Sequence, residues 1–409
     1  MTNAKNKALP LAGIRVLDFT WGGAGPFATK AMADFGAEVV KIETNTHYDF
    51  PRTMGPYAGG IKGVNRSGYF TNRNSSKNSV TLNLKKKEAL AVARKLAATC
   101  DIAINNFRAG VLEKLGLGYQ ELAALRPDII YVSMPLQGSS GPQANFSGVG
   151  HTLNVLAGIY GLTGYDDGTL VGPGTNYPDH SVNPGHALVA IMCALIHRKR
   201  TGQGQYIEVS QLESTMNLLG PSIVAQSLSG TNPTMTGNTS PTASPYGVFE
   251  CAGGEWIAIS VGSDDEWAAF SRVAQSQPWA ADAAYRTMEG RLAKTMELGK
   301  QVRAWARAEN ARALMKRLQS VGVRAGVVQT AQDLVEKDEQ IAARGDFVTV
   351  DHAEMGPVVY NGSPFILSRT PARLRSAPLI GEHNDKVFGD WAGIPDDERA
   401  RLKEAGIFD

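Results

Sequence analysis

Between residues 14 and 133 the chain alternates short β-rich runs with helical stretches, and that rhythm leaves few folds open. Residues 14–19 (IRVLDF), 37–43 (AEVVKIE), the alternating run that closes YFTNRNSSKNSVTLNL, 101–105 and 129–133 read as strands. Helical stretches at 27–35, at 85–99 and up to Leu125 separate them. Strands spaced by helices predict a parallel sheet covered on both faces, with its ligand crevice beyond the carboxyl ends of the strands. Three of those ends carry Gly22-Gly23, Asn106-Phe107-Arg108 and the 136–141 loop, so small and basic groups gather where a ligand would sit. Each of these cations is, taken singly, an ordinary solvated surface charge. The first turn, WGGAGP, lacks the GxGxxG spacing and is no more than a weak pointer to a dinucleotide.

The stretch GTNYPDHSVNPGHALVAIMCALIHRKRTGQGQYIEVS (174–210) places one carboxylate, Asp179, on a Pro- and Asn-rich loop. Behind it, residues 187–196 are apolar on every side, which predicts a helix buried all round. His197-Arg198-Lys199-Arg200 suit the negative end of its dipole, so its positive end faces Asp179, and a carboxylate there would stay ionised near the ordinary value of about 3.9. On local grounds alone Asp179 also reads as a plain cap or turn residue.

At 409 residues the chain predicts two domains and an ample core. A net charge of +2 argues against a large polyanion as partner, and no nucleic-acid module is present. Cys100, Cys193 and Cys251 are odd in number and far apart, which reads as reduced core residues of a cytoplasmic protein rather than a disulfide framework or metal site. The start, MTNAKNKALP, has no apolar h-region, and no run approaches the ~20 residues that cross a bilayer. Residues 1–215 are expected to form a large domain, 216–325 a small α+β one, and 326–409 a segment that returns to complete the first. Neither HExxH nor GxSxG occurs, so no metal site and no acyl-transfer serine is expected.

The ordered set LPLAGIRVLDFT, FGAEVVKIE, NRNSSKNSVTLNL, INNFRAGVLEKLGLGYQEL, the Asp179 loop and ALIHRKRTGQGQ resembles the class III coenzyme A transferases, the family of formyl-CoA transferase and carnitine CoA-transferase. The resemblance runs over nearly the whole chain, with its signatures in residues 9–210. It implies an α/β fold, a Rossmann-like large domain with a parallel sheet formed by both chain ends plus a smaller α+β domain, and two interlaced subunits. It also implies that Asp179 is the nucleophile and that Lys77, Asn106 and Phe107 contact coenzyme A, with Arg108 beside them and Lys114 where the family usually has Arg. Arg52 and Asn72-Arg73 are implied neighbours of the CoA phosphates, Gly237-Asn238 fall in a loop that shields the acyl group, and Gly22-Gly23 or Gly237 would hold an oxyanion. The CoA thioester is a substrate; no cofactor is held permanently.

On this resemblance Asp179 attacks the donor thioester, and the resulting anhydride is converted by CoA thiolate into an aspartyl-CoA thioester. Gly23 replaces a Gln and Thr44 an Arg of formyl-CoA transferase, which turns the expectation away from formate-type acids and towards a different adenine side. TNYPDHSVNPGHA looks like the branch that moves CoA from succinyl-CoA to bulky acids such as benzylsuccinate, where catalytic and non-catalytic subunits pair, so a homodimer and a heteromer both stay open. Two rival readings remain. Gly150-His151-Thr152 resembles the segment of an α-methylacyl-CoA racemase that carries its His, with Asp179 as the partner acid, and a non-catalytic CoA-binding subunit is the other.

Overall fold

The computed structural model describes residues 8–165 and 167–409. The first seven residues, where the sequence shows no h-region, lie outside the described residues. The chain divides into two compact units, one of Met1–Ile159, Pro173–Thr231 and Ile341–Asp409, the other of Tyr160–Gly172 and Asn232–Gln340.

In the first unit six strands form one sheet: β1 (Arg15–Asp18), β2 (Glu38–Glu43), β3 (Asn78–Thr81), β4 (Ile102–Asn105), β5 (Ile130–Ser133) and β6 (Gln205–Glu208). Their order is β3-β2-β1-β4-β5-β6, and every neighbouring pair is parallel. Val16, Leu17, Val39, Val40, Ile102, Ile104, Ile130 and Val132 are wholly or almost wholly buried, as expected of a sheet covered on both faces. The strand order reverses between β1 and β4, and the crevice of such a sheet opens at that reversal.

All six strands precede residue 209, which corrects the expectation that both chain ends build the sheet. The C-terminal segment instead covers its edge. Thr81 N–H donates to Asn384 Oδ1 at 2.8 Å and Thr81 Oγ1 to the Phe408 carbonyl at 2.6 Å. Val387, Phe388, Leu402, Ile407 and Phe408 join Leu17, Val40 and Val80 in one core. An exposed strand edge is a hazard, and here side chains and apolar packing blunt it without a seventh strand. The segment also holds a hairpin, β10 (Phe347–His352) with β11 (Gly356–Asn361). In the second unit β7 (Tyr246–Glu250), β8 (Trp256–Ser260) and β9 (Arg324–Val327) form an antiparallel sheet. Its own core is aromatic and includes Trp267, Phe270 and Trp305.

The Asn183–Thr201 helix is not buried all round. Ala187, Ile191 and Ala194 pack with Ala24, Ala28 and Met32, but Val189 is 66% and Ile196 52% exposed. Cys193 is exposed too, unlike Cys100 and Cys251, because it lies on a face of this helix that the described residues leave uncovered. Among the described residues no helix is long and apolar enough to cross a membrane, and no His, Cys, Asp and Glu group is placed to hold a metal ion.

Under the β1 turn lie three ion pairs with no side-chain exposure: Lys41–Asp49 at 3.0 Å, Arg52–Glu43 at 2.7 Å and Lys77–Asp18 at 3.1 Å. Burial pushes the Asp18 and Glu43 carboxyls up, but Lys77 with Lys41, and Arg52, more than offset it and hold both below the ordinary range. Removing one partner of a buried pair strands the other charge. Arg52→Met is therefore expected to destabilise the protein by about 3–5 kcal/mol in chemical denaturation at neutral pH. An unchanged midpoint would show that the pair contributes nothing.

Candidate active site

The chain leaves β1 through Asp18-Phe19-Thr20 and turns at Trp21-Gly22-Gly23 into the Ala24–Asp34 helix. Several contacts fix that turn. Asp18 accepts from Thr20 N–H and Oγ1 and from Thr29 Oγ1, and Gly22 N–H donates to Asp49 Oδ1 at 2.9 Å. Asn106, just past β4, clasps the Trp21 backbone from both sides: its Oδ1 accepts from Trp21 N–H at 2.9 Å and its Nδ2 donates to the Trp21 carbonyl at 2.7 Å. Gly22 sits at φ +77°, and a Cβ there would lie 2.7 Å from the Phe50 ring, so no larger residue fits.

Asp179 lies on a π-helical turn, Pro178–Val182, that runs directly into the Asn183–Thr201 helix. Pro184 has no N–H to give the carbonyl four residues before it, so the ladder widens at this point. Asp179 and His180 N–H both donate to the Asn176 carbonyl, at 3.0 and 3.2 Å. The carboxyl group then packs against two glycines from distant parts of the chain. A Cβ on Gly23 would meet Asp179 Cβ at 2.8 Å, and one on Gly150 would meet Asp179 Oδ2 at 2.5 Å. The Gly150 N–H, at the start of the Gly150–Leu156 helix, donates to that Oδ2 at 3.2 Å. Nothing in the sequence pattern marked Gly150 except its place before His151, which is exposed.

Burial pushes the Asp179 carboxyl up to about 6, against the Gly150 N–H bond and the Arg73 and His151 charges, which pull it down. The expectation of an ordinary carboxylate is corrected: burial outweighs the hydrogen bond and the nearby cations. Next door, Arg73 Nη2 donates to His180 Nε2 at 2.6 Å. Arginine only donates, so that ring nitrogen accepts and the imidazole is neutral, with Nδ1 towards Thr175 Oγ1 at 3.4 Å. Burial, helped by Arg73, pushes His180 down to about 4.

The other expected site residues divide into two groups. Asn106 and Phe107 follow β4, where the strand order reverses, with Phe107 edge-on to Trp21 at 5.9 Å, while Arg108 and Lys114 are exposed. Lys77 and Arg52 are interior. Lys77 uses its three protons on Asp18, Asn74 and the Pro26 carbonyl, and Arg52 commits its guanidinium to Glu43, Asn65 and the carbonyls of Val64 and Pro378. Neither retains a donor for a phosphate; both hold up the turn from behind. Gly237 and Asn238 belong to the second unit. Thr44, expected to stand where formyl-CoA transferase has an Arg, donates its hydroxyl to the Asp409 main-chain oxygen at 2.7 Å.

Residues 11–384 match the model of CoA-transferase family III. A succinate–glutarate CoA-transferase of Agrobacterium fabrum is 33% identical over 96% of this chain and 98% of its own length. A succinyl-CoA–D-citramalate CoA-transferase of Chloroflexus aurantiacus is 31% identical over 96% of this chain and 97% of its own. Among solved structures, a CAIB/BAIF family protein from Brucella suis superposes with a TM-score of 0.85 at 28% identity, covering 94% of this chain and 100% of that one.

A carboxyl group raised to about 6 in the fold, from 3.8, costs stability above the higher value, and the cost fades as pH falls towards the lower. Asp179→Asn removes that charge. It is expected to be more stable than the wild type by ~1–3 kcal/mol at pH 8, with the gap closing near pH 4. A pH-independent difference in denaturation midpoint would contradict the raised value.

Proposed function

Because the chain belongs to CoA-transferase family III, we propose that it moves coenzyme A from succinyl-CoA to a dicarboxylic acid through an aspartyl-CoA thioester on Asp179. The observation that carries this reading is the Asp179 carboxylate held against two backbone positions, Gly23 and Gly150, where no side chain fits. An acid packed that tightly is positioned to react, and the relatives named for glutarate and D-citramalate support the substrate class.

The steps balance as follows. A carboxylate oxygen of Asp179 attacks the succinyl carbonyl, the carbon–sulfur bond breaks, and CoA leaves as thiolate. The thiolate attacks the aspartyl carbonyl of the mixed anhydride and expels succinate. The acceptor carboxylate attacks the aspartyl thioester, thiolate leaves again, attacks the acceptor's own carbonyl in the new anhydride, and frees Asp179. No net proton is consumed. Gly22 N–H is committed to Asp49, so the Gly23 N–H, without a partner among the described residues, is the donor we assign to the developing oxyanion. Asn106 and Phe107 line the path of the pantetheine arm, and Arg108 and Lys114 meet its charged end. Glutarate, citramalate and aryl-substituted succinates such as benzylsuccinate are the acceptors to screen.

The exposed apolar side chains of the Asn183–Thr201 helix, with Ile223, Val224 and Leu228 of the Gly220–Ser229 helix, support burial against a second subunit, either this chain or a related one.

Incubation with succinyl-CoA is expected to add CoA to the Asp179 peptide in a mass spectrum, and transfer should fall tenfold per pH unit below about 6, as the nucleophile is protonated. Asp179→Asn should lose the adduct and at least ~10⁴-fold in kcat. Exchange of the α-proton of a 2-methylacyl-CoA without an adduct would favour proton transfer between His151 and Asp179, and CoA binding with neither outcome would mark a non-catalytic subunit.

A further inference from the structure

The first unit contains a cavity of about 850 Å³ whose walls include Phe27, Phe35, Leu188 and Phe365. Its size is that of a small-molecule site, roughly 300–1,000 Å³. Two cations reach it. Lys30 is spent on Asp34 at 2.6 Å and on the Asn361 carbonyl at 3.2 Å. Arg73 is not spent. It is 96% buried, with 4% of its surface exposed, and its Nε has no partner among the described residues. Its orientation is nonetheless fixed. Nη1 donates to the Tyr69 carbonyl at 2.8 Å, Nη2 to His180 at 2.6 Å, and the guanidinium carbon lies 3.5 Å from the centre of the Tyr69 ring. A buried charge with an unmet donor is costly unless a ligand completes it.

Gly185 is the second sign. It stands inside the Asn183–Thr201 helix, where glycine costs ~0.5–1 kcal/mol against alanine. A Cβ there would touch nothing within 4 Å, so packing gives no reason for its absence. Gly185 does line the cavity, and any side chain on it would take up that space.

Resting on the transferase reading above, we propose that this cavity receives the distal carboxylate of a dicarboxylic acid acceptor and that Arg73 reads it. A single guanidinium matches a carboxylate in shape and charge. With the Asp34 and Asp346 carboxylates also in the wall and Lys30 spent on Asp34, a phosphate dianion would keep an uncompensated charge. Arg73 donates to His180, the residue that follows Asp179, so the reader is tied to the same turn as the carboxyl group that carries the acyl chain.

The test is calorimetric binding of glutarate and of benzylsuccinate, with the monoacid pentanoate as control, to the full chain without CoA. Wild type should bind at least one diacid at least 10-fold more tightly than pentanoate. Arg73→Gln should weaken that binding by roughly 10–100-fold, with Arg73→Lys in between. Gly185→Phe, whose Cβ meets nothing within 4 Å among the described residues, should abolish diacid binding with an unchanged circular dichroism spectrum. The inference is overturned if neither diacid outbinds pentanoate, or if folded Arg73→Gln or Gly185→Phe binds like wild type. The CoA adduct on wild-type Asp179 is scored separately. Its absence with diacid binding intact sinks the transferase reading and leaves Arg73 standing, and the converse sinks Arg73 alone.

Discussion

Backbone at Gly23 and at Gly150 comes closer to the Asp179 carboxyl than any side chain permits, and the organisation of the first unit follows from keeping that approach. Gly23 is held through its turn, and the turn is held by charges. Lys41 donates to the Thr20 carbonyl at 2.6 Å and pairs with Asp49, which in turn grips Gly22. Asp18 orders Thr20 and Thr29 and is neutralised by Lys77. Three cations and three anions thus cancel under one loop. Apolar residues of similar volume would fill the same space at comparable or lower cost, but would not aim N–H and C=O groups at fixed points.

Precision of this kind conflicts with stability at Asp179 itself. Burial raises its carboxyl to about 6, so at neutral pH the fold carries a charge it has poorly solvated. His180, one residue on, is driven the other way and stays neutral, which lets it accept from Arg73. Two adjacent residues on one π-helical turn are therefore pushed apart in proton affinity, one as a poorly solvated anion and the other as a neutral acceptor. The turn exists because Pro184 withholds an N–H, so the sequence Pro-Asp-His-Ser-Val-Asn-Pro and the electrostatics are linked through a single missing donor.

The parallel sheet was legible in the sequence because buried strands are written as runs of Val, Ile and Leu, and hydrophobic period is a local property. The glycine turn and Asp179 were legible as unusual residues at strand and helix ends. What sequence could not show was which charges face inward. Lys77 and Arg52 look like phosphate ligands in one dimension, and only the partners at Asp18 and Glu43, 59 and 9 residues away, reveal that their donors are used up. The apolar helix failed for the complementary reason: an all-round apolar surface says that something must cover it, but not whether the cover is the same chain. Gly150 was invisible because its role is a void, and a void has no sequence period.

On the proposed route the raised Asp179 carboxyl has a further effect at the anhydride. Thiolate can attack either carbonyl, and the oxygen that leaves is the one that better bears the charge. If thiolate expels Asp179, the donor thioester is simply regenerated; if it expels succinate, the CoA is captured. A free carboxylate of ordinary affinity, about 4, leaves more readily than an aspartate near 6. Burial of Asp179 therefore does more than shield an intermediate from water. It biases each anhydride towards release of the small acid and retention of CoA on Asp179 as the thioester, and the same bias makes the final return of CoA to the acceptor the step that needs the acceptor acid firmly held.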